Sequence, residues 1–191
     1  MLYIVATPIG NLSDITSRAL ETLRGVSIIL CEDTRVTKKL LDHYEIKQAK
    51  LISYHHHTSD KKTDELVELI KKNEVALVTD AGTPGISDPG GKIIEKIADQ
   101  VPVVPIPGAS AVIAALSISG FPTDKFLFLG FIPHKKGRNK FLNEVTQEKR
   151  TVVFYESCHR IVKCLEQFRE LNTTKKFVVG RELTKKFETI Y

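Results

Sequence analysis

The sequence predicts an α/β protein of two domains: a parallel-sheet N-terminal domain over residues 1–119 and a smaller, mixed-sheet α/β domain over residues 120–191. Three observations carry this. Short apolar, β-branched runs alternate with amphipathic segments through the first part of the chain, the pattern of a parallel sheet with right-handed crossovers. The stretch Ser119-Gly-Phe-Pro-Thr-Asp124 breaks that rhythm and reads as a linker. Charge changes at the same place. Residues 1–120 hold 13 Lys and Arg against 15 Asp and Glu, a net of −2, whereas residues 121–191 hold 15 against 8, a net of +7.

Taken in order, Leu2–Ala6 is an apolar run that turns at Thr7-Pro-Ile-Gly10-Asn11. Ser13 or Asp14 is placed to cap a helix running through Leu23, with Ile15, Ala19, Leu20 and Leu23 on one face. Val26–Cys31 is a second strand, ended by Glu32-Asp-Thr-Arg35 and followed by a helix through Tyr44. Lys50–Tyr54 is a weaker third strand ending in His55-His56-His57. Asp60 or Thr63 starts a helix whose apolar face is Leu66, Val67, Leu69 and Ile70. Val75–Val78 is apolar without alternation, as a strand buried on both faces should be. Its loop, Asp80-Ala-Gly-Thr-Pro-Gly-Ile-Ser-Asp88-Pro-Gly-Gly91, leads into a helix through Ala98. Pro102–Ile106 is a fifth strand, ended by Pro107–Ser110, and Ala111–Ile118 is an apolar helix.

In the second domain, Phe126–Phe131 and Thr151–Tyr155 read as strands, and so does Phe177–Val179 running into Arg181-Glu-Leu-Thr-Lys185. Between them lie a basic loop, Pro133–Lys140, a helix to about Gln147, and an amphipathic segment from Ile161 to Leu171. About 70 residues are marginal for an independent core, so this domain is expected to be incomplete.

If the first five strands are parallel, their five following loops share one edge, which is where open α/β sheets bind ligands. The Asp80–Gly91 loop is the centre of that expectation. Its glycines let a ligand approach the main chain, and it contains no Lys or Arg. Asp80 and Asp88 would repel phosphates and suit a ligand with hydroxyls, an amine or a positive centre, as S-adenosylmethionine has. No phosphate-cradling P-loop and no Gly-x-Gly-x-x-Gly after the first strand is present. Consecutive histidines in extended chain alternate faces, so His55–His57 read as a polar or substrate-contacting loop and not as a metal site. Cys31, Cys158 and Cys164 are odd in number and irregularly spaced, which points to reduced thiols in a cytoplasm, each filling core. Met1–Val5 has no basic region ahead of its apolar residues and does not read as a signal peptide, and no apolar run approaches membrane length.

Six motifs then fall in order: Thr7-Pro-Ile-Gly-Asn-Leu12; Glu32-Asp-Thr-Arg35; Asp80-Ala-Gly-Thr-Pro84 with Asp88-Pro-Gly90; Pro107-Gly-Ala-Ser-Ala111; Phe154-Tyr-Glu-Ser157 with His159-Arg160; and Arg181-Glu-Leu-Thr-Lys185. In these the chain resembles the tetrapyrrole methylase superfamily, in the branch that acts on small-subunit ribosomal RNA. It departs from that pattern at Ala109 and Cys158, where proline is common, and at His57-Thr58, where His-Asn is usual. Those departures bear on local loop shape.

The resemblance implies a dimeric, cytoplasmic two-domain enzyme that uses S-adenosylmethionine for 2′-O-methylation of a cytidine ribose in small-subunit RNA. It also implies further chain beyond Tyr191. Cofactor positions carry over as Pro8, Gly10, Asp80, Ala81, Gly82, Thr83, Ile86, Ser87, Asp88, Ser110, Ala111, Tyr155, Arg181, Glu182, Leu183 and Thr184. The proton acceptor is not settled by the resemblance. Asp33 and Glu156 are the candidates because each ends a strand. Lys135, Lys136, Arg138 and Lys140 are candidates for RNA phosphates. Arg35 is read either as one half of an internal ion pair or as an RNA contact. His159 and Arg160 either touch phosphate or cap the next helix. Two other readings stay open: a methylase of a small tetrapyrrole-type molecule, and a non-catalytic RNA-binding assembly factor.

Overall fold

The computed structural model describes every residue from Met1 to Tyr191, packed as two units, Met1–Ser110 and Ala111–Tyr191. The first unit holds five strands, β1 (Leu2–Val5), β2 (Ile28–Cys31), β3 (Lys50–Ser53), β4 (Val75–Leu77) and β5 (Val103–Ile106). They form one parallel sheet in the order β3-β2-β4-β1-β5. Four helices accompany it: α1 (Ser17–Gly25), α2 (Thr34–His43), α3 (Asp60–Lys72) and α4 (Gly91–Ile97).

Strand alternation divides the apolar residues between two cores. Leu2, Ile4, Leu30, Val75 and Leu77 pack with Leu66, Val67 and Ile70 of α3 and with Ile93 and Ile97 of α4. Val5, Ile29, Cys31, Ala76, Val78 and Ile106 pack with Ala19 and Leu23 of α1 and Leu41 of α2. The sheet is therefore covered on both faces, which is why β4 is buried throughout and reads as an unbroken apolar run.

Helix α1 begins later than expected. Asn11, not Ser13 or Asp14, caps a short 3₁₀ turn over Leu12–Asp14. Ile15 is then extended, and Thr16 Oγ1 caps α1 by accepting from Ala19 N at 3.1 Å. Ser59 caps α3, one residue before the expected Asp60. Of the apolar faces read from periodicity, Ala19 and Leu23 of α1 and Leu66, Val67 and Ile70 of α3 are buried, Leu20 and Leu69 are partly buried, and Ile15 lies ahead of α1.

The second unit contains α5 (Ala111–Ser119), β6 (Phe126–Phe131), α6 (Arg138–Gln147), β7 (Thr151–Tyr155), α7 (Ile161–Glu170), β8 (Gly180–Arg181) and β9 (Thr189–Ile190). Helix α5 packs against β7, so the division between units falls before α5 and not after it. Strands β6 and β7 are parallel, with a register shift between Phe128 and Phe131 at Gly130 (φ 64°). Their core joins Ile132, Phe141, Leu142, Val145, Cys164 and Phe168.

The expected strand Phe177–Val179 is absent. Phe177 turns into the core, its ring 4.9 Å from that of Phe168, and pairing starts at Val179, which exchanges backbone hydrogen bonds with Tyr191 just ahead of the β8–β9 ladder. Strands β8 and β9 form a separate antiparallel hairpin, so the second unit has two small sheets in place of one mixed sheet. No helix is long and apolar enough to cross a membrane.

Candidate functional site

Because β1–β5 are parallel, their five following loops emerge at one edge of the first unit, and β4 and its neighbours occupy the middle of that edge. The chain leaving β1 passes to α1, packed in one core, and the chain leaving β4 passes to α4, packed in the other. Adjacent strands whose connections part to opposite faces leave a crevice between their loops.

Hydrogen bonds fix the crevice. Thr7 N donates to Gly82 O at 2.9 Å, and Gly82 N donates to Thr7 O at 3.0 Å. Thr7 Oγ1 donates to Thr79 O at 3.0 Å. On the other side, Asp33 N donates to Asp80 Oδ1 at 3.1 Å. The loops after β1, β2 and β4 are thus tied into one piece. Within the β4–α4 loop, Gly85 N donates to Pro89 O at 3.1 Å. Gly90 has φ 145°, and a Cβ there would stand 3.0 Å from Gly85 N, so only glycine fits. The buried hydroxyl of Thr79, at the mouth of β4, has no partner within the protein.

The edge is electronegative. Burial and the charge of Asp33 raise the pKa of Asp80. Asp88 is pushed up to about 6, first by burial, then by Glu32 and Asp80, against an opposing pull from His56. A positive ligand group, or hydroxyl donors, would relieve this repulsion. Beside the loop lies a half-open cavity of about 340 Å³, whose lining includes His55, His56, Thr58, Ser87, Asp88 and Lys92.

Among the expected cofactor residues of the first unit, Asp80, Ala81, Gly82, Thr83, Ile86, Ser87 and Asp88 form the central loop. Pro8 and Gly10 follow β1, and Ser110 lies after β5. Pro8 is buried, whereas Gly10, Ala81 and Ile86 are exposed. In the second unit, Ala111 opens α5, and Tyr155 ends β7 with its ring against Phe128 and Phe131. Arg181 ends β8, paired with Thr189, and Glu182, Leu183 and Thr184 begin the turn to β9, with Glu182 and Thr184 at positive φ.

The two expected proton acceptors are both committed elsewhere. Asp33 caps α2 through Arg35 N (2.8 Å) and pairs with the Arg35 guanidinium at 2.6 Å. Hydrogen bonds from that side chain and from the backbone hold its carboxyl down at about 2, which makes it a weak base. The side chain of Glu156 is only 1% exposed. It accepts from Arg138 Nη1 at 2.9 Å, Arg160 Nε at 2.8 Å and Ser157 N at 2.7 Å. Burial opposes its ionisation, but these bonds win and lower its pKa.

Arg138, expected to hold RNA phosphate, is instead engaged within the protein. It is the first residue of α6, not part of the basic loop, and it is buried, bonding Glu156, Gln167 Oε1 (2.8 Å) and Pro133 O (3.2 Å). Arg160 is the N-cap residue of α7 and half-shares its guanidinium with Glu156. Lys135, Lys136, Lys140 and His159 are exposed, and so is Arg35, paired to Asp33. Cys31 and Cys164 fill core as expected, but Cys158 is exposed in the turn after β7. The unpartnered Thr79 hydroxyl and the approach of the histidine loop to Asp88 were not legible in sequence, since they arise from contacts between separate segments.

The comparisons with known proteins agree with this geometry. The family model described as Tetrapyrrole (Corrin/Porphyrin) Methylases matches residues 1–191. A Vibrio cholerae protein named ribosomal RNA small subunit methyltransferase I is 50% identical over 194 residues, covering 100% of this chain and 67% of that protein. Proteins of the same name from Haemophilus influenzae and Synechocystis are 47% and 46% identical, with 100% of this chain and 68% and 70% of theirs covered. The chain thus spans about two thirds of the length of these relatives. Among solved structures, a cobalt precorrin-4 methyltransferase of cobalamin biosynthesis superposes with a TM-score of 0.70 at 20% identity, covering 100% of this chain and 83% of that one. A diphthine synthase superposes with a TM-score of 0.72 at 15% identity, covering 99% and 80%. The fold, the loop-built crevice and the match along all 191 residues lead to one assignment: the chain belongs to the tetrapyrrole (corrin/porphyrin) methylases, among the relatives called ribosomal RNA small subunit methyltransferase I.

Proposed function

We propose that this protein transfers the methyl group of S-adenosylmethionine to the 2′-oxygen of a cytidine ribose in small-subunit ribosomal RNA, acting as a homodimer in the cytoplasm. The observation that carries the cofactor is the loop after β4. It is acidic, free of Lys and Arg, and central on the ligand edge, with an unpartnered buried hydroxyl at its base. That donor set fits a ligand with a sulfonium, an ammonium and a ribose diol and no phosphate. The names of the relatives supply the acceptor, and the net +7 of residues 121–191 fits a polyanion.

Asp80 and Asp88 would face the cofactor's positive groups and hydroxyls, and Gly82 to Thr83 would lie along it. Pro8, Gly10 and Ser110 would complete the cofactor contacts of the first unit. Ala111, Tyr155 and Arg181 to Thr184 would supply those of the second. Bound there, the cofactor would supply an electrophilic methyl to the ribose oxygen, its thioether product departing and the ribose proton passing to solvent. Asp80 is held by Asp33 N–H, and the loop is stiffened by its own hydrogen bonds, so the cleft is organised before a ligand arrives. Lys135, Lys136, Lys140 and His159 would hold RNA phosphates, joined by Arg160 and by Arg35 on the first unit. Neither Asp33 nor Glu156 takes the ribose proton in this reading, since arginines already occupy both carboxylates.

The test is calorimetric titration of S-adenosylmethionine into the full-length protein and its Asp80→Ala variant, followed by tritium transfer to small ribosomal subunits. Saturable binding that is lost in the variant, with label in the RNA, is the expected result. Label transferred only to a tetrapyrrole would overturn the acceptor. RNA affinity without cofactor affinity would leave an RNA-binding module.

A further inference from the structure

The β4–α4 loop has two sides. One belongs to the crevice beside Thr7 and Asp33. The other faces the loop after β3, and between them lies the cavity of about 340 Å³. A cavity of this size falls in the range of small-molecule sites. Its chemistry differs from that of the crevice. On the β3 side stand His55, His56 and Thr58, with Lys92 at the start of α4. On the loop side stand Ser87 and Asp88.

The histidine loop is shaped for this position. His55 N donates to Thr58 Oγ1 at 2.9 Å, and Thr58 N donates to His55 O at 2.9 Å, closing a tight turn that leaves the imidazoles outside. The rings of His55 and His57 are 6.3 Å apart, and His56 is near enough to Asp88 for its charge to act on that carboxyl. Lys92 also pairs with Asp60 of α3, which holds its ammonium close to the first turn of α3. The cavity is therefore bipolar, with imidazole and ammonium donors on one side and a hydroxyl and a carboxylate acceptor on the other. A ligand suited to it carries an anion at one end and hydroxyl donors at the other. A ribose phosphate has that form.

We propose that this cavity seats one nucleotide of the RNA acceptor, its phosphate toward His55, His56 and Lys92 and its sugar hydroxyls toward Ser87 and Asp88. The assignment rests on the proposed RNA substrate and adds to it a nucleotide subsite on the first unit. The cavity shares Ser87 and Asp88 with the cofactor loop, so its occupant is held beside the methyl donor. Single-stranded RNA with a base free to leave its stack is the form that could enter it.

The experiment measures binding of a fluorescently labelled single-stranded RNA oligonucleotide of small-subunit sequence to the full-length protein, by anisotropy, without cofactor. His55→Ala and His56→Ala are compared with wild type, and cofactor affinity is measured separately by calorimetry. Both histidines are exposed, so neither substitution threatens the core. The expected result is an RNA affinity about tenfold weaker in each, equivalent to roughly 1.4 kcal/mol, with cofactor affinity unchanged. Unchanged RNA affinity in both variants would overturn the subsite. So would loss of cofactor affinity in either, which would make the cavity part of the cofactor site. If wild type binds no cofactor but its RNA affinity still falls in the variants, the methyl-transfer reading fails and the subsite stands.

Discussion

Gly90 and Gly91 are neighbours with opposite demands. Gly90 combines a backbone angle that side chains rarely adopt with a Cβ direction blocked by Gly85. Gly91 has open space and an ordinary φ. Gly90→Ala should therefore cost about 1–3 kcal/mol in denaturant unfolding and abolish cofactor binding, whereas Gly91→Ala should be tolerated in both assays. Asp88 makes a second prediction at this scale. Its raised pKa means that its proton is bound more tightly in the folded protein than in the unfolded chain. The stabilising effect is complete below the ordinary carboxyl value and is lost as pH rises through about 6. A positive ligand prefers the ionised form, so cofactor affinity should rise with pH across that same value. Asp88→Asn should flatten the profile, which calorimetry at several pH values will show.

At the scale of elements, the ion network of Glu156 joins four segments of the second unit: the end of β7, the first residue of α6, the start of α7 and the β6–α6 loop. Removing the central carboxylate leaves the buried Arg138 without its counter-charge. Glu156→Gln should destabilise the second unit by roughly 3–5 kcal/mol in chemical unfolding. Because the network lowers the pKa of Glu156, its contribution is present above the ordinary Glu value and lost as pH falls through the lowered one. The elements themselves were largely legible. An apolar, β-branched run placed β7 at Thr151–Tyr155, and the helical period placed Leu66, Val67, Leu69 and Ile70 on one face of α3, of which all but the partly buried Leu69 are buried. Caps were less so. Asn11 and Thr16, either of which could begin a helix, divide the work that sequence assigned to Ser13 or Asp14.

For the whole molecule, charge is the relevant quantity. Three exposed lysines, Lys135, Lys136 and Lys140, belong to the basic unit. Replacing all three with Ala should lower the slope of log affinity against log salt for single-stranded RNA by about two. Arg138→Ala should leave the slope unchanged while lowering stability, since its guanidinium is buried against Glu156. Equal effects from Arg138 and the three lysines would show that both face the RNA. Charge counting alone could not separate them, because a count gives position along the chain and not exposure.

The sequence by itself determined the alternation of strands and helices, the buried β4 and its acidic glycine loop, the basic second part and the family. Each is local in the chain or additive over it. Tertiary structure alone decided which charges are free. Asp33, Glu156 and Arg138 look like functional residues in sequence, yet Arg35, Arg160, Gln167 and the protein interior engage them. It also decided that α5 packs with β7, that Phe177 is core and not strand, and that the histidine loop shares a cavity with Asp88. The physical reason is the same in each case. Burial and ion pairing depend on what another segment brings to the site, and a sheet order in which β4 lies between β2 and β1 sets neighbours that chain order does not contain.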